Sequence, residues 1–377
     1  MAKSFDDLEL KENLLRGIYA YGFEIPSSIQ SKAVPKIMSG VDLIAQSQSG
    51  TGKTGAFSIG SLQQIDEDKN IIQCIIISHT RELAIQIDNV IQSLSKYMNI
   101  NTELCIGGSS VKKNISNIDS IKPHILVCTP GRLLDLLDRH VIDSTNLKLL
   151  VMDEADEILS LGFKEQIYNI MKYIKPEAQI CIFSATYNEK VMELTSKFMT
   201  EPEKILVKTA ELTLEGIKQY YIYLEKKEWK YDTLCDLYDS IIASQTIIYS
   251  NYKKEVDRIK DFLENKNFAV SSIHSNVTND DRKIIMNKFR NGDIRILLST
   301  NLLARGIDVQ NVSIVVNFDL PFDNETYIHR IGRSGRFGRK GIAINFVTDN
   351  DVNRLKELEQ FYNTQIEELP EDFRGVI

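Results

Sequence analysis

No stretch of this 377-residue chain approaches the run of about 20 apolar residues that a membrane span needs. The opening MAKSFDDLEL has no apolar signal-peptide core, so neither a membrane protein nor a secreted one is expected. Cysteine is scarce: Cys74, Cys105, Cys128, Cys181 and Cys235 are scattered, with no CxxC spacing. That excludes a zinc framework or a disulfide scaffold and points to a reducing, cytoplasmic compartment. Positive charge is not in excess either, since 45 Lys and Arg face 52 Asp and Glu for a net charge of −7. A generic polybasic nucleic-acid binder is thereby disfavoured, although a locally basic groove is not. There is no Ser/Gly-rich tether and no low-complexity tail.

What the chain does have is size and alternation. Single cores rarely grow past about 250–300 residues, so two domains are expected. The organising stretch is LKLLVMDEADEIL at 147–159, an apolar run that ends in Asp153, Glu154, Ala155 and Asp156. Continuous apolar residues predict a strand buried on both faces of a parallel sheet, with the carboxylates at its carboxyl end, where α/β proteins bind ligands. Adjacent carboxylates repel unless a cation or proton joins them, and Mg²⁺ on nucleotide phosphates is such a cation. The plainer alternative is an acidic helix start favoured by the helix dipole.

Taken in order, the chain opens with helical spacing through Leu10, Leu14, Leu15 and Ile18, then turns at Pro26 within GFEIPSSIQ. Phe23 and Gln30 suit adenine, one by stacking and one by an amide that bonds two ring-edge atoms. By themselves they read as a core and a surface residue. VDLIAQ, SQSGTGKT and 55–65 then read as strand, glycine loop and helix, the arrangement that cradles phosphate. Ser49, Gly50, Thr51 and Gly52 present backbone, Lys53 reaches phosphate oxygens, and Thr54 holds a metal. Ser47 stands where the strict pattern has its first glycine. Apolar runs at 71–78, 124–129, 147–152 and 179–185 alternate with helical patterns, each followed by a polar cluster: HTRELA, TPGR, DEAD and SAT. Arg81, Thr129, Gly131 and Arg132 offer groups suited to a phosphodiester backbone.

After EKILV at 203–207 and a linker at 208–216, the alternation resumes with runs at 219–224, 246–250, 269–274, 295–299, 312–318 and 342–347. The expected domains are therefore 1–207 and 217–377. ARGIDV and YIHRIGRSGRFGRKG concentrate arginine and glycine. Arg330, Arg333 and Arg336, three apart, are expected on one helix face, where their mutual repulsion implies an anionic partner.

GFEIPSSIQ, AQSQSGTGKT, TRELA, the GG at 107–108, TPGR, DEAD, SAT, ARGID and HRIGRSGR in this order resemble the DEAD-box ATP-dependent RNA helicases over essentially the whole chain. LLRGIYAYGFE, LTLEGIKQ, LLARGIDVQ and TQIEELP are most similar to the translation initiation factor four-A group. The resemblance implies an α/β chain of two RecA-like parallel-sheet domains in tandem, with ATP and Mg²⁺ as cofactors. It places Phe23, Gln30 and Phe337 at adenine and Gly306 and Asp308 beside the nucleotide, with Asp308 at the ribose. Asp153 and Thr54 take the metal, largely through water, and Glu154 deprotonates the attacking water. Lys53, Arg333 and Arg336 meet the phosphates. Arg81, Gly108, Thr129, Gly131, Arg132 and Thr300 line the RNA, while Ser184, Thr186 and His329 couple the domains.

Some positions depart from the family pattern. His79 stands where proline usually precedes TRELA, Tyr252 where a small hydroxyl residue follows Asn251, and Ser275, Asn279 and Asn301 at positions of other residues. These changes spare the ATP chemistry and fall where RNA affinity and coupling are set. The expected activity is ATP-dependent unwinding of short RNA duplexes in translation initiation, by a monomer that binds single-stranded or short duplex RNA and a scaffold protein. The alternative is a nuclear paralogue acting as an ATP-dependent RNA clamp in exon-junction or ribosome-biogenesis work. A DNA helicase or transporter ATPase fits the motif set poorly.

Overall fold

The computed structural model describes residues 2–47, 51–160, 162–206, 217–240, 245–301, 312–334 and 341–370, without the side chains of 239, 240 and 279. The chain divides into two compact units, Met1–Val207 and Lys208–Ile377. The expected linker at 208–216 lies outside the described residues, as do Ser49, Gly50, Gly306, Asp308, Arg336 and Phe337.

The first unit holds strands β1 (Leu43–Gln46), β2 (Cys74–Ile77), β3 (Thr102–Cys105), β4 (Ile125–Cys128), β5 (Leu149–Asp153), β6 (Gln179–Ser184) and β7 (Glu203–Ile205). They form one parallel sheet in the order β3-β4-β2-β5-β6-β1-β7. Period-two alternation sends Cys74, Ile76, Leu149 and Val151 to one core and Ile75, Ile77, Leu150 and Met152 to the other. Each fully buried isoleucine or leucine contributes roughly 1.5–3 kcal/mol. That is why these runs are apolar without interruption: helices cover both faces of the sheet.

The helix that leads into the segment carrying Phe23 and Gln30 is seated against a neighbouring helix by a close approach. A Cβ at Gly17, in the helix Glu12–Tyr21, would fall 1.9 Å from the Leu94 carbonyl oxygen at the end of the helix Arg81–Leu94. Only glycine permits that approach.

The second unit repeats the plan. Strands β8 (Ile217–Tyr223), β9 (Gln245–Tyr249), β10 (Val270–Ile273), β11 (Ile296–Ser299), β12 (Val312–Asn317), β13 (Gly341–Val347) and β14 (Glu367–Glu368) run parallel in the order β10-β11-β9-β12-β13-β8-β14. Counted within its unit, each sheet has the order 3-4-2-5-6-1-7. Ile248, Leu298, Ile314, Val316 and Ile344 anchor the core on one face.

Candidate functional site

In the first unit the chemistry collects at the carboxyl ends of β1, β2, β4, β5 and β6. The helix Lys53–Gln64 begins directly after the glycine loop, with Gly52 as its N-cap at φ 100°. Its exposed N–H groups and positive dipole end make an anion site. Lys53 is buried, and its ammonium donates to the Ser47 carbonyl, so the residue in place of the usual glycine contributes its backbone oxygen.

Gln30 is buried rather than on the surface. As the third residue of the helix Ser28–Met38 it completes a capping box: its Oε1 accepts from Ser27 N at 2.8 Å, and Ser27 Oγ accepts from Gln30 N at 3.4 Å. Its Nε2 donates to the Gly52 carbonyl at 3.3 Å, which ties this segment to the phosphate loop. Phe23 packs partly buried against the core, and a Cβ at Gly55 would lie 3.0 Å from its ring.

The four acidic residues at the end of β5 and the start of the helix Ala155–Ser160 are all buried: Asp153, Glu154, Asp156 and Glu157. Asp153 accepts from Glu154 N at 3.0 Å. Burial, and next the neighbouring Glu154 charge, push its carboxyl up to about 7, although Lys53 pulls the other way. A buried carboxyl that resists ionising without a cation is the donor chemistry expected for Mg²⁺, so Asp153 fits that role.

Glu154 has a left-handed backbone, φ 52°. Among the described residues six other non-glycine residues share that region, and all six are exposed, whereas Glu154 is buried. A strained, buried acid at a strand end marks a position whose aim matters more than its comfort.

Asp156 is secured differently. It accepts from Thr186 N at 3.0 Å and Thr186 Oγ1 at 2.8 Å, and its own N–H donates to Ser184 Oγ at 3.3 Å. Ser184 and Thr186 therefore brace the acidic turn from within their own unit.

A second concavity of about 370 Å³ adjoins these acids, lined by His79, Arg81, Gly107, Thr129, Gly131 and Phe163 among others. Gly108 (φ 81°) leaves room for the Arg81 guanidinium, since a Cβ there would meet Arg81 Nη1 at 2.4 Å. Thr129 Oγ1 accepts from Gly107 N at 3.2 Å. Arg132 departs from expectation. It is buried, with Nη1 on Ser109 Oγ (3.0 Å) and on Asn114, and Nη2 on the Ser109 carbonyl (2.8 Å). Its guanidinium holds the glycine loop in place, and the residue also lines the concavity. Phe163 was missed by sequence reasoning, because an aromatic after a turn glycine carries no periodic signal.

In the second unit, Thr300 follows β11 and is half-buried. Arg330 and Arg333 do not share a helix face, and Arg336 lies outside the described residues. The helix Asn324–Ile331 ends at Gly332, so Arg333 lies in the turn beyond it, its Nε donating to the His329 carbonyl at 3.1 Å. Arg330 is fully buried and donates to Asn301 Oδ1 (Nε, 2.9 Å), Asn317 Oδ1 (3.1 Å), the Asp319 carbonyl (2.7 Å) and Asn251 Oδ1 (2.7 Å). It stacks over Tyr249 at 5.3 Å. This cation is a hub of the unit's own structure, so Arg330 itself is not set out for an anionic partner. His329 and Arg333 are also buried.

A family model described as DEAD/DEAH box helicase matches residues 27–194, and one described as helicase conserved C-terminal domain matches 229–338. The chain belongs to the DEAD-box ATP-dependent RNA helicases. As a member it hydrolyses ATP. It is 53% identical over 367 residues to the ATP-dependent RNA helicase fal1 of Schizosaccharomyces pombe, covering 97% of this chain and 93% of the relative. It is 52% identical over 375 residues to the ATP-dependent RNA helicase FAL1 of Candida albicans, covering 100% and 94%. Among solved structures, S. cerevisiae Dbp5 bound to RNA and ADP BeF3 is similar with a TM-score of 0.92 at 36% identity, covering 100% of this chain and 97% of that one. Two parallel sheets in tandem bear out the expected RecA-like fold. Among the described residues no helix is long and apolar enough to cross a membrane.

Proposed function

We propose that this helicase acts in ribosome biogenesis, as the nuclear paralogue set out above as the alternative, gripping RNA with ATP, and not as the translation-initiation helicase. The observation that carries this reading is the near-complete match at 51–53% identity to proteins named FAL1. Translation initiation, the first expectation, is set aside on the same ground.

For the chemistry, Lys53 and the N-terminus of its helix hold the phosphates, Asp153 and Thr54 hold Mg²⁺, and Gln30 with Phe23 receives adenine. Bound Mg²⁺ supplies charge neutralisation at the phosphate oxygens. Glu154 takes the proton of the attacking water as its oxygen bonds the γ-phosphorus and the bond to the ADP oxygen breaks. The buried setting keeps that carboxylate from bulk water, and the left-handed backbone fixes where it points. Arg81, Gly108, Thr129 and Gly131 contact the sugar-phosphate backbone, which positions RNA without reading its sequence.

The test crosslinks the tagged protein to RNA in cells and sequences what is bound. Precursor ribosomal RNA is the expected target, and enrichment of mRNA leader sequences would return the reading to initiation. In vitro, RNA should stimulate ATP turnover more than DNA of the same sequence, because a backbone reader on this plan can use the 2′-OH.

A further inference from the structure

His79 and Glu154 meet because of strand register. β2 and β5 are neighbours with Ile77 opposite Met152, and two residues further along each strand are His79 and Glu154. Both residues lie just beyond the ends of these neighbouring strands, where the left-handed backbone of Glu154 redirects its side chain. The result is a buried contact of 3.4 Å between His79 Nδ1 and Glu154 Oε2, with the side chains 1% and 7% exposed. That distance exceeds the about 2.7–2.9 Å of a tight ion-assisted hydrogen bond, so the pair is close enough to steer the carboxylate without clamping it. The same imidazole lines the 370 Å³ concavity with Arg81, Gly107 and Thr129. Position 79 is usually proline in the pattern this chain resembles, and proline offers no such side chain.

We propose that His79 is a positioning residue that aims the Glu154 carboxylate at the attacking water and links that aim to occupancy of the concavity. The inference rests on the reading of Glu154 as the acceptor of the water's proton. A ribose or phosphate lodged beside Arg81 and Thr129 would press on one edge of the ring, while the other edge faces the carboxylate. Filling the concavity would thereby set the orientation of the acid. Acting through Glu154 and not on the nucleotide, His79 should alter kcat when lost and leave nucleotide affinity alone.

Three variants of the full chain separate this from a packing role. His79→Asn places an amide near the Nδ1 position, His79→Gln places one a methylene further out, and His79→Leu offers none. RNA-stimulated ATPase is measured for each over a range of RNA and ATP, beside Glu154→Gln and a thermal melt. The expected result is a kcat about tenfold lower in His79→Leu and His79→Gln, with recovery to within about threefold in His79→Asn and little change in KM for ATP. Equal losses in all three variants would reduce His79 to packing and overturn the proposal. So would a raised KM for RNA with kcat intact, which would make His79 only a groove wall. Unchanged turnover in all three overturns it as well. If His79→Leu does not fold, the two amide variants still decide. The underlying reading fails on a different sign: Glu154→Gln turning over at the wild-type rate removes the acid from the mechanism, whatever His79 does.

Discussion

The two units share a strand order and differ in the sign of the charge buried beyond the fifth strand. β5 and β12 occupy the same place in their sheets. Beyond β5 lie buried carboxylates, with Asp153 forced toward its neutral form. Beyond β12 lies Arg330, fully buried, ringed by the side-chain carbonyls of Asn251, Asn301 and Asn317 and by the Asp319 carbonyl. The acids are buried side by side, with Asp153 pushed toward its neutral form, which makes their end of the sheet a place for chemistry. The guanidinium is compensated from within, which makes its end a framework. One topology thus supports both uses, and the difference lies in which charged group is buried beyond the fifth strand.

Substitutions can break this contrast, and the largest effect should come from the acid. Glu154→Gln should lower RNA-stimulated turnover by about 10²–10⁴-fold while nucleotide affinity and melting temperature hold, since an amide still orients water but takes no proton. Steady-state ATPase beside nucleotide titration checks it. The corresponding change in the second unit should act on stability instead. Arg330→Met strands several buried carbonyl oxygens and should cost on the order of 3 kcal/mol, read as an earlier urea transition.

Third is a pH effect in metal-free protein. Asp153 has its folded-state value raised to about 7 from 3.8, so the folded form keeps a proton that the unfolded chain releases. Stability from this group is present below about pH 4, falls as pH rises to about 7, and is flat above. Asp153→Asn should remove that slope and be more stable at pH 8 by an amount on the order of 2–3 kcal/mol. Identical pH profiles for the two proteins would show that the carboxylate is already compensated. The smallest effect should come from Asn301→Asp, which gives Arg330 a charged partner where Nε already donates at 2.9 Å. A gain of about 1 kcal/mol in unfolding free energy is expected, lost again on acidification as that carboxylate protonates.

Much of the fold was legible because buried parallel strands are written as unbroken apolar runs: Cys74–Ile77, Ile125–Cys128 and Leu149–Asp153 all fall on runs recognised in the sequence. Two strands were not. Thr102–Cys105 is an edge strand with alternating burial, and Glu367–Glu368 is a two-residue exposed edge; neither needs an apolar run. The phosphate loop and acidic cluster were readable as local motifs. Arg330 was misread because its acceptors come from positions 251, 301, 317 and 319, distant in sequence and near only once the sheet is formed. The meeting of His79 with Glu154 was hidden for a related reason: it depends on which strands are neighbours.

The backbone of Glu154 has an evolutionary consequence. A left-handed conformation at a non-glycine residue costs roughly 1–2 kcal/mol, so glycine, and to a lesser degree asparagine, would relieve this position. Selection for stability and selection for turnover therefore pull in opposite directions on a single codon. Lineages that abandon hydrolysis would be expected to drift there first, growing sturdier as they lose the enzyme.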